Sequence, residues 1–175
     1  MMKRSKFTNY SYDETIIYEY MKKYYIMELC QQGELNPAHD NRQAPSDVCD
    51  LSSTYDSNTA AEKIGKGIIK ALDNFDSRAH PYDKFDLPAR GRYISGLVGA
   101  RGLPSLERDS RQVVVKRQLE AQQLFIYPTD NNRLNHWIDL LDPIIIPMDS
   151  SAEKIGEKLI EAFDRSTWHP NKKFI

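Results

Sequence analysis

Hydrophobic residues recur at helical spacing in two stretches of the chain. Ile64, Ile68, Ala71, Leu72 and Phe75 make one apolar stripe, and Ile155, Leu159, Ala162 and Phe163 make another. Each stripe predicts an amphipathic helix with one face turned to a core. Thr59 stands three residues before Glu62, and Ser150 three before Glu153, so each predicted helix starts with the spacing of a capping box. Gly65 and Gly156 fall inside these helices. An interior glycine costs about 1 kcal/mol relative to alanine, so its presence in both predicts close backbone approach where the two helices cross.

Elsewhere the pattern shortens to that of strands. Thr15–Tyr20 and Lys23–Leu29 are rich in β-branched and aromatic residues, as are Arg111–Arg117 and Gln123–Tyr127. The second pair reads as antiparallel, with Leu119, Glu120 and Ala121 near its turn. Val48–Leu51 and Pro143–Pro147 are short runs leading to the first and second helix. Ahead of the first run, Gln31 to Ser46 is polar, contains Pro37 and Pro45, and reads as a long loop. Residues 74–92, with Pro81 and Pro88, read as the connection between halves.

The order strands–helix–strands–helix is matched by a repeat. Residues 61–73 (AEKIGKGIIKALD) and 152–164 (AEKIGEKLIEAFD) lie 91 positions apart and are identical at eight of thirteen positions. Two further positions exchange one large apolar residue for another. The expectation is one domain over 1–175 built from a pseudo-repeat, about 1–78 and 90–166, joined by 79–89.

Composition narrows the class. The chain has 175 residues, 40% of them hydrophobic, and no apolar run near membrane-spanning length. Its basic start, Met1-Met2-Lys3-Arg4, leads into Phe7-Thr8-Asn9-Tyr10 rather than an apolar stretch, which speaks against a secretory signal. Two cysteines, Cys30 and Cys49, make no disulfide framework, so a reducing, cytoplasmic setting is expected. The net charge of −1 conceals an asymmetry. Residues 11–62 carry ten acids against three bases, residues 90–117 seven bases against two acids, and residues 128–164 eight acids against three bases. Such a distribution can steer a charged partner, although solvated faces account for it equally simply. Near-neutrality argues against a nucleic-acid binder.

Few residues suggest chemistry. His39, His80, His136 and His169 share no metal-ligand spacing, and neither cysteine has a CxxC partner. A zinc site from Cys30, His39, Asp40 and Cys49 is conceivable, but burial of the thiols explains them better, and no metal or cofactor is expected. The stretch 96–102 (GLVGARG) lacks the Lys-Ser/Thr of a phosphate loop and reads as a turn-rich connector. Ser5, Ser52 and Ser95 have no nucleophile-elbow context. Nothing points to an enzyme. Tyr10, Tyr12, Tyr18, Tyr20, Tyr24 and Tyr25 are crowded together, which suits sheet packing first, a protein interface second and base stacking third.

The segment 143–163 (PIIIPMDSSAEKIGEKLIEAF) resembles the immunity proteins paired with contact-dependent growth inhibition toxins of bacteria. The shared features are an apolar strand, Ile-Pro, Asp-Ser-Ser, then Glu-x-Ile-Gly opening a helix. Asp56-Ser57 through Ala71-Leu72 resembles the same family's earlier helix, and residues 74–78 (NFDSR) its Ser-Arg close. Residues 31–50 and 99–110 depart from the family pattern. The resemblance implies an α+β, Whirly-like fold, with two antiparallel four-stranded sheets packed around two central helices. It implies a non-enzymatic cytoplasmic protein that neutralises a toxin domain, often a ribonuclease. The acidic 11–62 segment would complement a basic nuclease cleft. Asp13, Glu14, Asp40, Asp47 and Asp50 are the candidate contacts, with Tyr10 and Tyr12 as aromatic anchors. The competing expectation is a Whirly-like module for single-stranded nucleic acid, using the tyrosines and the basic 90–117 stretch. Oligomeric state is not legible.

Overall fold

The structure, a computed structural model, describes residues 12–31, 46–75, 87–131, 138–139 and 142–173. The first unit is β1 (Tyr12–Tyr20), β2 (Lys23–Gln31), β3 (Ser46–Asp56) and α1 (Ala61–Asp73). Two helices follow, α2 (Leu87–Val98) and α3 (Leu103–Asp109). The second unit is β4 (Ser110–Gln118), β5 (Gln123–Asp130), β6 (Ile138–Asp139), β7 (Ile144–Pro147) and α4 (Ala152–Arg165).

The strands form one antiparallel sheet in the order β3-β2-β1-β4-β5, with β6 and β7 both on the far side of β5. The expected pair of four-stranded sheets is therefore not what the described residues form. The reason is the β1–β4 ladder, which runs from Tyr12 opposite Gln118 to Tyr20 opposite Ser110 and welds the units edge to edge.

Alternation along each strand sorts the side chains to two faces. Ile17, Ile26, Val113, Val115, Leu124 and Ile126 point to the face covered by α1 and α4, where they meet Ile64, Ile68, Leu72, Ile155, Leu159 and Phe163. Ile16, Tyr18, Tyr25, Met27 and Val114 point the other way, into a cluster with Ile94 and Val98 of α2 and Leu106 of α3. Helices lie on both sides of the sheet. That explains why these strands read as near-continuous apolar runs.

The helix α2 begins inside the stretch 74–92 read as a connection and runs through 96–98, which corrects those readings, while 99–102 is the turn that leads into α3. Pro88 and Pro104 sit in the first turns, where a proline removes no helical hydrogen bond. Ile94 and Val98, four apart, supply the buried face. The cap assignments also change. The N-cap of α4 is Ser151, whose hydroxyl accepts from the Lys154 amide, while Ser150 Oγ donates to the Pro147 carbonyl. The N-cap of α1 is Ala60, which has no side-chain cap. β3 is longer than the four residues expected, because it pairs with β2 through two register shifts that absorb extra residues.

The crossing of α1 and α4 is reciprocal. A Cβ added at Gly65 would overlap the Ala152 carbonyl and lie 2.9 Å from Ala152 Cα, and one added at Gly156 would stand 2.9 Å from Ala61 Cα. Ala61 and Ala152, like the two glycines, are 91 positions apart. Each glycine seats the other helix's first turn.

Candidate binding surface

Charge in β1 is largely answered within the sheet. Asp13 faces Arg117 and Glu19 faces Arg111 across the β1–β4 ladder, each pair three positions from the Ile16–Val114 pair. Arg117 Nη2 lies 2.7 Å from Asp13 Oδ2, and Arg111 Nη2 lies 2.6 Å from Glu19 Oε2. Both guanidiniums continue to the last turn of a helix. Arg117 donates to the Leu72 carbonyl of α1 and to the Asp73 carboxylate, and Arg111 donates to the Phe163 carbonyl of α4. They add a second, charged donor to carbonyls at the helix C-termini, which already accept from the Phe75 and Ser166 amides. Burial works against the charge of Arg117, but the hydrogen bonds it donates to the Asp73 and Asp13 carboxylates, with their negative charge, outweigh it and raise its pKa. Arg111 also stacks on Trp168, 4.6 Å from the ring centroid, and Lys172 approaches the same ring at 5.1 Å. The basic stretch thus commits Arg111 and Arg117 to architecture, and Lys116 lies over the Tyr127 ring at 5.0 Å.

The sequence candidates are therefore scattered. Asp13 is held by Arg117 on the α1/α4 face, and Glu14 is half-buried opposite Lys116 on the other face. Asp47 and Asp50 occupy β3 opposite Cys30 and Glu28, and Tyr12 begins β1 opposite Gln118; the side chains of Asp47, Asp50 and Tyr12 lie outside the described set. Tyr10 and Asp40 fall outside the described residues. A buried acid went unnoticed: Glu28 has no exposed surface, and its Oε1 accepts from Asn74 Nδ2 at 3.0 Å. Among the described residues no group of three or more His, Cys, Asp or Glu side chains could hold a metal ion. No helix among them is long and apolar enough to cross a membrane.

A different place stands out by its conformation. Tyr20 pairs directly with Lys23, so Met21 and Lys22 alone form the β1–β2 turn. Their φ values are 51° and 60°, the left-handed pair that a two-residue hairpin requires and that Asn-Gly normally supplies. Holding non-glycine residues there costs on the order of 1–3 kcal/mol each. Met21 is 70% exposed, the most exposed large apolar side chain among the described residues. Behind it lies an open concavity of about 380 Å³ lined by Met21, Lys22, Asp56, Ser57, Asn58 and Thr59. The Ser57 amide donates to the Lys22 carbonyl at 2.9 Å, which ties the hairpin tip to the β3–α1 turn. The sequence carried a signal for this turn: two strand-like runs separated by two residues, neither of them Gly, Asn or Asp.

No family model matches the chain, and no curated protein does. Solved structures that share its fold include the following two. One is a protein of unknown function from Neisseria meningitidis, with a TM-score of 0.59 and 19% identity, covering 94% of this chain and all of that one. The other is from a CdiA-CT/CdiI toxin and immunity complex of Yersinia pseudotuberculosis, with a TM-score of 0.63 and 13% identity, covering 89% of this chain and 98% of that one. At these identities the likeness is one of fold.

Proposed function

We propose that this protein is the immunity partner of a contact-dependent growth inhibition toxin, binding the toxin domain in the bacterial cytoplasm and blocking its active site. The observation that carries this reading is the near full-length fold match to a chain of a toxin and immunity complex. It joins the resemblance already noted in residues 143–163, which was read from local sequence. The two are independent kinds of likeness.

In this reading the chain is one domain made of a duplicated strand–helix unit, and it performs no chemistry of its own. The toxin is a nuclease, most simply a ribonuclease, whose cleft is basic because its substrate is polyanionic. Glu14, Asp40, Asp47 and Asp50, with Tyr10 and Tyr12, supply complementary charge and aromatic contacts; Asp13 serves mainly to hold Arg117. The nucleic-acid alternative loses support, since Arg111 and Arg117 are engaged by carboxylates and helix carbonyls.

The test starts from the neighbouring reading frame, where a large surface effector ending just upstream is expected, and is co-expression with the C-terminal domain of that effector. Growth should be rescued, a stoichiometric complex should co-purify, and RNA cleavage by the toxin domain should stop on mixing. A toxin domain that neither binds nor is silenced would overturn the reading. Tight binding to single-stranded oligonucleotide at physiological salt would favour the alternative.

A further inference from the structure

The β1–β4 ladder is symmetric about its centre. Both strands are nine residues long, and Ile16 pairs with Val114 at the midpoint. Tyr12 corresponds to Ser110 and Tyr20 to Gln118, 98 positions on, yet Tyr12 faces Gln118 and Tyr20 faces Ser110. In the same way Asp13 corresponds to Arg111 and Glu19 to Arg117, while Asp13 faces Arg117 and Glu19 faces Arg111. The helices follow suit. Arg117 donates to the Leu72 carbonyl and Arg111 to the Phe163 carbonyl, and those two residues are 91 positions apart. The contact between the units is thus that of a two-fold dimer, made within one chain. A surface of this kind can also meet a second copy of itself. The helix crossing does not forbid it, since Gly65 would receive the Ala61 of a second copy as readily as its own Ala152.

We infer that Asp13, Glu19, Arg111 and Arg117 select the partner of β1, admitting β4 of the same chain and refusing the β1 of a second copy. β1 holds Asp13, Glu14 and Glu19 and no base, and β4 holds Arg111, Lys116 and Arg117 and no acid. Two first units joined in the same register would set Asp13 against Glu19 twice, beside the Asp73 carboxylate and the carbonyl end of α1. Two second units would set Arg111 against Arg117 twice. Like charges facing across a ladder are destabilising, as are carboxylates at a helix C-terminus. Only the mixed pairing makes the salt bridges of 2.6 and 2.7 Å. The four side chains are between 13% and 18% exposed, so solvent screens them less than it would a surface pair. The apolar centre offers no such discrimination, since Ile16 would meet Ile16 and Val114 would meet Val114. The need for it arises during synthesis. The first unit is made before the second, and until β4 arrives the edge of β1 is open to other chains.

The test is a variant that keeps both pairs within the chain but lifts the refusal. Glu19→Arg with Arg111→Glu preserves two opposite-charge pairs and the net charge, yet leaves each strand with one acid and one base at the selecting positions. Two such β1 strands, or two such β4 strands, then pair with opposite charges facing. Wild type, refolded from denaturant over a range of concentrations, should give monomers by size exclusion with light scattering. The two-site variant should melt within a few degrees of wild type as a monomer. Its dimer fraction on refolding should be at least about tenfold higher, because two facing pairs change from repulsion to attraction. Reversing all four charges, with Asp13→Arg and Arg117→Asp added, restores one sign to each strand and should return refolding to monomers. Dimers of wild type, or a two-site variant as monomeric as wild type, would overturn the selection. A two-site monomer that melts more than about 10 °C lower would show that the two pairs are not equivalent, and the inference would fall with that symmetry. A four-site variant that dimerises like the two-site one would overturn it as well.

Discussion

The β1-β2-β3-α1 unit and the β4-β5-β7-α4 unit meet at two places, the β1–β4 ladder and the α1–α4 crossing, and they differ in what they give to each. At the crossing they are equivalent: each glycine receives the other helix's opening alanine. At the ladder they are complementary, because β1 supplies the carboxylates and β4 the guanidiniums. A contact between near-identical surfaces can be satisfied by shape alone. A contact between charged residues needs opposite signs, so here the units had to diverge. The uneven charge along the sequence is in part this division of labour, and steering of a partner is not needed to explain Asp13, Glu19, Arg111 or Arg117.

The largest effect expected from breaking the comparison is at the crossing. Gly65→Ala and Gly156→Ala should each destabilise by about 3 kcal/mol, because the new methyl meets helix backbone that cannot turn aside. Urea unfolding should place the two losses within about 1 kcal/mol of each other. A markedly unequal pair would show that the crossing is not reciprocal. Gly156→Leu should be worse still.

Next is the ladder. Arg117→Met removes the guanidinium that pairs with Asp13 and takes from the Leu72 carbonyl its charged donor, and should cost about 2–3 kcal/mol, discounted from a fully buried pair because both side chains keep some exposure. Arg111→Met should cost about as much or more, since it also uncovers Trp168. Denaturant midpoints measure both. If Arg111→Met is neutral, Trp168 and the Phe163 carbonyl do not depend on it.

The caps give a smaller and more pointed test. Ala60 and Ser151 hold equivalent positions with nearly the same backbone, φ −58° and ψ 139° against φ −60° and ψ 153°. Only Ser151 caps. Ser151→Ala should lose about 1 kcal/mol, and Ala60→Ser should gain about 0.5–1 kcal/mol by supplying the first unit with the missing acceptor. Thermal melts of the two variants should shift in opposite directions.

The smallest effect is acid dependence outside both units. A hydrogen bond from Arg108 holds the Asp109 carboxyl below its usual range, with Lys172 adding to the effect. A lowered folded-state pKa contributes stability at neutral pH that disappears as pH falls from the ordinary carboxylate range through the lowered value. Asp109→Asn should therefore flatten the acid limb of a stability–pH curve slightly, and leave its shape above pH ~6 unchanged.

How much of this the chain revealed beforehand depended on how local each cause was. The helical stripes at 64–75 and 155–163, the paired strands either side of Met21-Lys22, and the repeat with its two glycines follow from periodicity, side-chain shape and internal identity. Those properties act over a few residues and are written in the sequence. The single sheet was not, because whether two units pack face to face or join at an edge is decided by which strand ends have open hydrogen bonds, and β1 and β4 lie about 100 residues apart. The helix α2 escaped for a related reason. Its two glycines and one proline weaken intrinsic propensity, and it is held by burying Ile94 and Val98 on a sheet face that only the assembled fold provides. Likewise the sequence listed acids and bases, but which were available to a partner and which were neutralised inside depended on the register of β1 against β4. Met21 carried a faint local sign, a turn without the usual turn residues. Its exposure and left-handed backbone required the hairpin to close and the β3–α1 turn to tie down the Lys22 carbonyl beside it. Short-range chemistry fixed the pieces, and long-range pairing determined which of their surfaces face the solvent.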